Sequence, residues 1–224
     1  MNKLFFGGIH PQYNKEMSIK DTSFHSIIPK QVVIPLLQHI GAPCQPLVNV
    51  GDRVLRGQKI GDGEGLCVPV HASVSGTVVA IEPRPHVSGR EILSVVIDND
   101  LQDEVFPSNA NDKPLAELDN DEILHTIREA GIVGMGGAAF PGNVKAISAM
   151  GKVDTLIANA CECEPYITAD DSLLRSKPEQ VLEGMMILRH VLKPDRVVLA
   201  VEDNKAEAIK ILHSLHDRYP DIEI

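Results

Sequence analysis

Between residues 27 and 97 every apolar run is short (VVIPLL, VSGTVVAI, ILSVVI), and Gly or Pro breaks the chain every eight to twelve residues. That punctuation leaves no room for an amphipathic helix, so this half is confined to small antiparallel strands and tight turns. From Pro114 onward the pattern turns helical. Leu118, Ile123, Ile127 and Ala130 share one helical face behind Asp119, Asn120, Asp121 and Glu122, an acidic start that suits the positive end of a helix dipole. Gly131 ends that helix. A short helix near 144–150, a strand over 155–158, a helix over 178–192 opened by Pro178, a strand over 197–201, a helix over 206–215 and an apolar end at 222–224 follow. Strands alternating with helices predict a parallel sheet with crossover helices. The acidic, proline-containing join DNDLQDEVFPSNANDKP reads as a linker. The expected division is an extension over 1–26, an all-β domain over 27–106, a linker over 107–113 and an α/β domain over 114–224.

Composition narrows the function classes. With 224 residues, 43% hydrophobic and 23% charged, the chain can bury a core. A formal net charge of −10 without an Arg- or Lys-rich stripe argues against nucleic acid as a partner. No apolar stretch approaches a membrane span or a signal-peptide core, so the chain is expected to be neither membrane-spanning nor secreted. Four scattered cysteines, Cys44, Cys67, Cys161 and Cys163, suit a reducing, cytoplasmic setting rather than a disulfide framework.

Two stretches carry chemistry. The first is Gly131-Ile132-Val133-Gly134-Met135-Gly136-Gly137-Ala138-Ala139-Phe140-Pro141-Gly142, between two predicted helices. Clustered glycines let backbone N–H groups approach an anion, the next helix adds its N-terminal dipole, and Lys145 can reach back to a phosphate. The alternative is a tight turn between helices. No Gly-Lys-Ser/Thr closes the stretch, so it is not a P-loop. The second is Asn159-Ala160-Cys161-Glu162-Cys163-Glu164-Pro165-Tyr166, just past a strand, where ligands gather in parallel sheets. Asn159 can hydrogen-bond a heterocycle, and Glu162 and Glu164 can accept from ribose or ribityl hydroxyls. Cys161 and Cys163 could ligate a cluster only with further thiolates, and Cys44 and Cys67 lie in the other predicted domain; packing is the other reading. Nine histidines are scattered without metal-ligand spacing, and no metal ligand is expected.

The all-β segment resembles the barrel-sandwich hybrid of biotinyl and lipoyl carrier domains. It carries Gly51-Asp52-Arg53-Val54-Leu55-Arg56-Gly57-Gln58 and Ser75-Gly76-Thr77-Val78 as its two turns. A carrier needs a lysine at the intervening hairpin, and none occurs between Lys59 and Lys113, so a docking or packing module is expected. The glycine loop with Phe140-Pro141 and Lys145, followed by N-A-x-E-x-E-P at Asn159 to Pro165, resembles the flavin-binding signature of the NADH-oxidising component of respiratory complex I. Together with Phe5-Phe6-Gly7-Gly8-Ile9-His10-Pro11, these motifs make the whole chain similar to the RnfC family of the Rnf electron transport complex.

The resemblance implies a barrel-sandwich hybrid followed by a Rossmann-like three-layer α/β domain that stops within the domain, as a fragment does. It implies that Gly134, Gly136, Gly137, Ala138, Phe140 and Lys145 hold the phosphate and ribityl chain of FMN. Asn159, Glu162 and Glu164 would line the flavin and the approach of NADH. Cys161 stands where the complex I relatives have aspartate. Glu202 and Asp203 resemble an acidic pair at the dinucleotide edge, with a helix N-cap as the other reading. No catalytic side chain is implied, because hydride exchange between nicotinamide and flavin needs alignment of two rings rather than a protein nucleophile. The implied activity is that of an NADH:acceptor oxidoreductase component in an ion-translocating complex, passing electrons between NADH and ferredoxin through FMN and 4Fe-4S clusters. The cluster ligands are absent from this sequence, so the isolated piece is expected to be inactive. Implied partners are other Rnf subunits, NADH and, indirectly, ferredoxin, with peripheral attachment to the cytoplasmic face of the plasma membrane through those subunits. A non-catalytic docking module and a soluble flavin-dependent reductase remain the alternatives.

Overall fold

The computed structural model describes residues 11–20, 25–107, 113–135 and 137–224. Most of the Phe5 to Pro11 motif, part of the linker and Gly136 therefore lie outside the described residues. The chain forms two compact units, Ser26–Lys152 and a second that joins the N-terminal segment through His25 to Val153–Ile224.

In the first unit the punctuated half gives seven strands: β1 (Gln31–Pro35), β2 (Gln45–Pro46), β3 (Arg53–Val54), β4 (Lys59–Asp62), β5 (Val70–His71), β6 (Gly76–Pro85) and β7 (Glu91–Asn99). They pair antiparallel as one sheet of order β1-β7-β6-β3 and a second of order β2-β4-β5. This is the expected barrel-sandwich hybrid. Ile34, Leu36, Val54, Ile60, Val70, Val78, Val95 and Ile97 close its core. The Ser-Gly turn is explained at β6, since a Cβ on Gly76 would stand 2.0 Å from the Asp98 carbonyl oxygen of the paired strand. Only glycine allows that approach.

Two helices belong to the same unit. α1 (Asn120–Glu129) opens on a capping box in which the Asp119 side chain accepts from Glu122 N–H and the Glu122 carboxylate from Asp119 N–H, as the acidic start predicts. α2 (Gly142–Ala149) follows the glycine loop. The end of α1 is tied to β4 by two cations and two carboxylates. Arg128 reaches Asp62 at 2.7 and 3.3 Å, Lys59 lies 3.1 Å from Asp62, and Lys59 also pairs with Glu129. These bonds give a physical reason for a unit that ends at Lys152, beyond the linker, whereas the sequence pattern alone places 114–152 with the α/β part.

Burial pushes the Asp62 carboxyl up, but Arg128, the Gly63 N–H and Lys59 outweigh it and hold it at about 2 against an ordinary 3.8. A depressed carboxyl stabilises the fold above its unfolded pKa and loses that contribution as the pH falls through the folded one. We expect about 2 kcal/mol of stability to be lost between roughly pH 4 and pH 2. Urea titrations across that range should show this step in the native chain and a smaller one in Asp62→Asn; equal steps would remove Asp62 as the cause.

The second unit is α/β. β8 (Thr155–Ala160), α3 (Ala169–Ser176), α4 (Pro178–Leu192), β9 (Arg196–Val201), α5 (Ala206–Ser214) and β10 (Ile222–Glu223) build a parallel sheet of order β10-β9-β8. Leu174, Leu182, Met185, Val197, Leu199, Leu212 and Ile222 form its core. α4 carries Pro178 in its first turn, as expected. α3 is not anticipated from the sequence: it is only eight residues long, begins Ala-Asp-Asp-Ser, and its buried positions include Asp171.

The N-terminal segment is a strap on this unit. Tyr13 O accepts from Tyr166 N–H (2.8 Å), Ser18 Oγ donates to Tyr166 O (2.7 Å), and Arg175 donates to Ile19 O (3.0 Å). No helix among the described residues is long and apolar enough to cross a membrane.

Candidate functional site

The glycine loop is pinched at its base. Val133 bridges Pro141, Gly134 N–H donates to Phe140 O (2.8 Å), and Gly142 N–H donates to Ile132 O (2.9 Å). The exposed tip is pinned where Ala138 O accepts from Ile40 N–H (3.2 Å). Gly137 has φ +108° with no atom within 4 Å of where a Cβ would stand, and Ala139 sits at φ +47°, left-handed backbone that is uncommon for a residue other than glycine. The loop then enters α2, whose N-terminus has no side-chain cap. Asn143 Oδ1, in the first turn of that helix, is buried without a hydrogen-bond partner among the described residues. Phe140 and Lys145 flank it in the chain, and both are exposed.

An open glycine curve, an uncapped helix start, an orphaned amide oxygen and a nearby ammonium are the features that a phosphate with attached hydroxyls would satisfy. The residues present therefore fit the phosphate and ribityl end of a flavin nucleotide. Gly134, Gly137, Ala138, Phe140 and Lys145 lie together in this region of the first unit; Gly136 lies outside the described residues. Asn143 is missed by the sequence reading, although its place directly after the last glycine is a signal for it.

The second stretch leaves the carboxyl end of β8 in the other unit. Glu162 is 4% exposed and turned into the fold. Its carboxylate lies 3.0 Å from the ammonium of Lys205 and 3.8 Å from that of Lys15, and it accepts from Asp170 N–H at 2.8 Å. Lys15 also donates to the Glu162 carbonyl. Burial alone would raise the Glu162 carboxyl; Asp170 N–H and Lys205 outweigh it and hold it below the usual range. Burial and then Lys205 push the Lys15 ammonium down. Burial also acts to lower Lys205, but its hydrogen bond to Glu162 outweighs that and raises it. Burial, with Glu162 next, pushes the Asp170 carboxyl up. Neither lysine is singled out by the sequence.

Asn159, Cys161, Cys163, Glu164 and Tyr166 of this stretch are exposed. Asn159 Oδ1 accepts from Cys161 N–H (3.1 Å), Cys161 Sγ approaches Ala200 O (3.6 Å), and Glu164 is exposed beside Cys163. Glu202 and Asp203 follow β9, the parallel neighbour of β8. Neither caps α5, because its N-cap is Lys205 and no side chain bonds there. The N-cap reading of that pair is thereby removed. Asn159 is the penultimate residue of β8, and Glu164, Glu202 and Asp203 stand past the carboxyl ends of the two adjacent parallel strands, with the buried Glu162 between Asn159 and Glu164 in the chain.

Comparison with known proteins agrees with both halves of the chain. The RnfC barrel sandwich hybrid domain matches residues 3–102, and the Nuo51 FMN-binding domain matches residues 127–224. The chain is 44% identical over 230 residues to the C subunit of the Na(+)-translocating ferredoxin:NAD(+) oxidoreductase complex of Acetobacterium woodii, covering 96% of this chain and 52% of that one. It is 44% identical over 211 residues to the C subunit of the ion-translocating oxidoreductase complex of Vibrio cholerae, covering 93% and 27%. The chain thus spans about half of the first relative and about a quarter of the second. A solved NAD+-reducing NiFe-hydrogenase in the H2-reduced state is 30% identical over 48% of this chain and 19% of its own, with a TM-score of 0.44. The chain belongs to the RnfC family, of which it carries the barrel sandwich hybrid domain and a Nuo51-type FMN-binding domain.

Proposed function

We propose that this chain is the FMN-holding part of a subunit that moves electrons between NADH and ferredoxin in a membrane-attached, ion-translocating complex. The observation that carries the reading is the glycine loop: an exposed left-handed curve that runs into an uncapped helix, inside the segment matched by an FMN-binding domain. Bound there, FMN supplies reversible two-electron exchange with a nicotinamide. The backbone of Gly134, Gly136, Gly137 and Ala138 would follow the phosphate and ribityl chain, and Lys145 would offset the phosphate charge. Phe140 would cover apolar flavin surface and keep water away.

In the other unit, on this reading, Asn159 and Glu164 serve the flavin and the NADH approach, and Glu202 and Asp203 the ribose hydroxyls of the dinucleotide. Glu162 belongs to the same stretch as a positioning residue, because its carboxylate is held by Lys205 and Asp170 N–H. Residues 27–106 are then a docking barrel, 107–113 a linker and 114–224 the nucleotide-handling part. Electrons continue to 4Fe-4S clusters in the rest of the protein. Other Rnf subunits hold it at the cytoplasmic face of the membrane.

The test is an FMN titration of this chain and of a full-length relative, followed by flavin fluorescence. We expect quenching by the full-length protein, with bleaching of the bound flavin when NADH is added anaerobically. Absence of binding by both proteins would overturn the assignment.

A further inference from the structure

Three ligating side chains that the flavin reading does not use meet inside the barrel unit. Cys44 is 1% exposed, Cys67 3% and His39 7%. The two sulfurs lie 3.4 Å apart, Cys67 Sγ lies 3.7 Å from His39 Nε2, and all three ligand atoms fall within 4.8 Å of one another. A tetrahedral zinc with Zn–S of about 2.3 Å and Zn–N of about 2.0 Å sets its ligand atoms roughly 3.5–3.8 Å apart, so the trio is already near that spread. Both cysteines are free thiols.

The imidazole is also oriented. His39 Nε2 faces the Val68 N–H at 3.3 Å, and a backbone N–H can only donate. Nε2 therefore carries the lone pair and Nδ1 the proton, which Nδ1 donates to Ile40 O at 3.2 Å. A ring N–H given to a backbone carbonyl, with the other nitrogen turned toward thiols, is the arrangement that metal-binding histidines adopt. Val68 N–H would be displaced from Nε2 as the ion enters.

We propose that His39, Cys44 and Cys67 form a binding site for a thiophilic divalent cation of the zinc class. Two thiolates and an imidazole are the soft donor set that selects such an ion over magnesium or calcium. Binding forms two metal–sulfur bonds and one metal–nitrogen bond and releases two thiol protons to solvent. The metal with its two thiolates is then neutral, which suits a buried position. The site also bears on the glycine loop. His39 is followed by Ile40, whose N–H holds Ala138 O at the loop tip, so a cation fixing His39 stiffens that support.

The experiment uses the 224-residue chain, reduced and stripped with chelator, and titrates it with Co2+ and then Zn2+. We expect one equivalent of cobalt to give a thiolate-to-metal charge-transfer band and tetrahedral d–d bands, with about two protons released, and zinc to abolish the bands. Cys44→Ser and Cys67→Ser should each weaken binding by at least about 100-fold. The double variant Cys161→Ser/Cys163→Ser should bind as the native chain does. Zinc should also slow hydrogen exchange at the Ile40 amide. Absence of a charge-transfer band from the native chain overturns the proposal whatever the variants do. So does a band that is lost only with Cys161 and Cys163, or a purified chain in which Cys44 and Cys67 are joined as a disulfide. None of these readouts involves flavin, so the cation site and the FMN assignment fail independently.

Discussion

Replacing Glu162 by alanine is expected to destabilise the α/β unit by about 3–5 kcal/mol, the usual consequence of removing one partner from a buried ion pair. At about 2–4 °C per kcal/mol for a chain of this length, thermal unfolding should come roughly 10 °C earlier. The reason lies in the count of charges. Two ammonium groups, Lys205 at 1% and Lys15 at 8% side-chain exposure, share one carboxylate at 4%. Without that carboxylate, Lys205 must release its proton or draw water into the core, and Asp170 N–H loses its acceptor. Hydrogen exchange should therefore accelerate at the Asp170 amide ahead of the rest of the unit. The double variant Glu162→Leu/Lys205→Met removes both charges and should recover at least half of the loss. A Glu162→Ala chain that melts with the native one would show the triad to be idle.

Gly137→Asp is expected to abolish FMN retention by the full-length protein, lowering affinity more than about 100-fold, or about 3 kcal/mol. Two effects add. At φ +108° any side chain strains the backbone, and a carboxylate at this position repels the phosphate that the loop is proposed to hold. No atom lies within 4 Å of the new Cβ, so the fold is expected to survive and the damage to stay local. Gly137→Ala separates the effects: strain without charge should weaken binding about tenfold, or about 1.4 kcal/mol. Flavin content after gel filtration and fluorescence quenching are the measurements. Native flavin content in the aspartate variant would mean that the loop does not hold the phosphate.

The residues that the sequence reveals are those whose role is settled within a few positions. Asp119 and Glu122 announce a helix cap within four residues, Pro178 marks a helix start, and the Ser75-Gly76 turn marks the approach of two strands. The glycine loop is legible for the same reason: its chemistry is backbone chemistry, written as glycines in a row. What escapes is everything that depends on distant partners. Glu162 reads as a ligand residue in its motif, yet its carboxylate is held by Lys205, 43 residues on, and its carbonyl by Lys15, 147 residues back. His39 and Cys44 are close in the chain, but Cys67 joins them through the β4–β5 connection of the barrel, which no spacing rule along the chain reveals. α3 escapes because eight residues are too few to announce a helix by themselves, and it is held by tertiary burial of Leu174 and Asp171.

The strap formed by Tyr13, Lys15 and Ser18 bears on the order in which the chain is assembled as it leaves the ribosome. Its hydrogen bonds reach about 150 positions along the chain, to Glu162 and Tyr166. The barrel unit, continuous from Ser26 to Lys152, has all its residues in hand before β8 is synthesised and is free to fold at once. The strap emerges before that unit and docks after it, waiting through the synthesis of an entire domain before its partners exist. The strap thus joins the unit in which the acidic motif lies across the whole of the barrel unit.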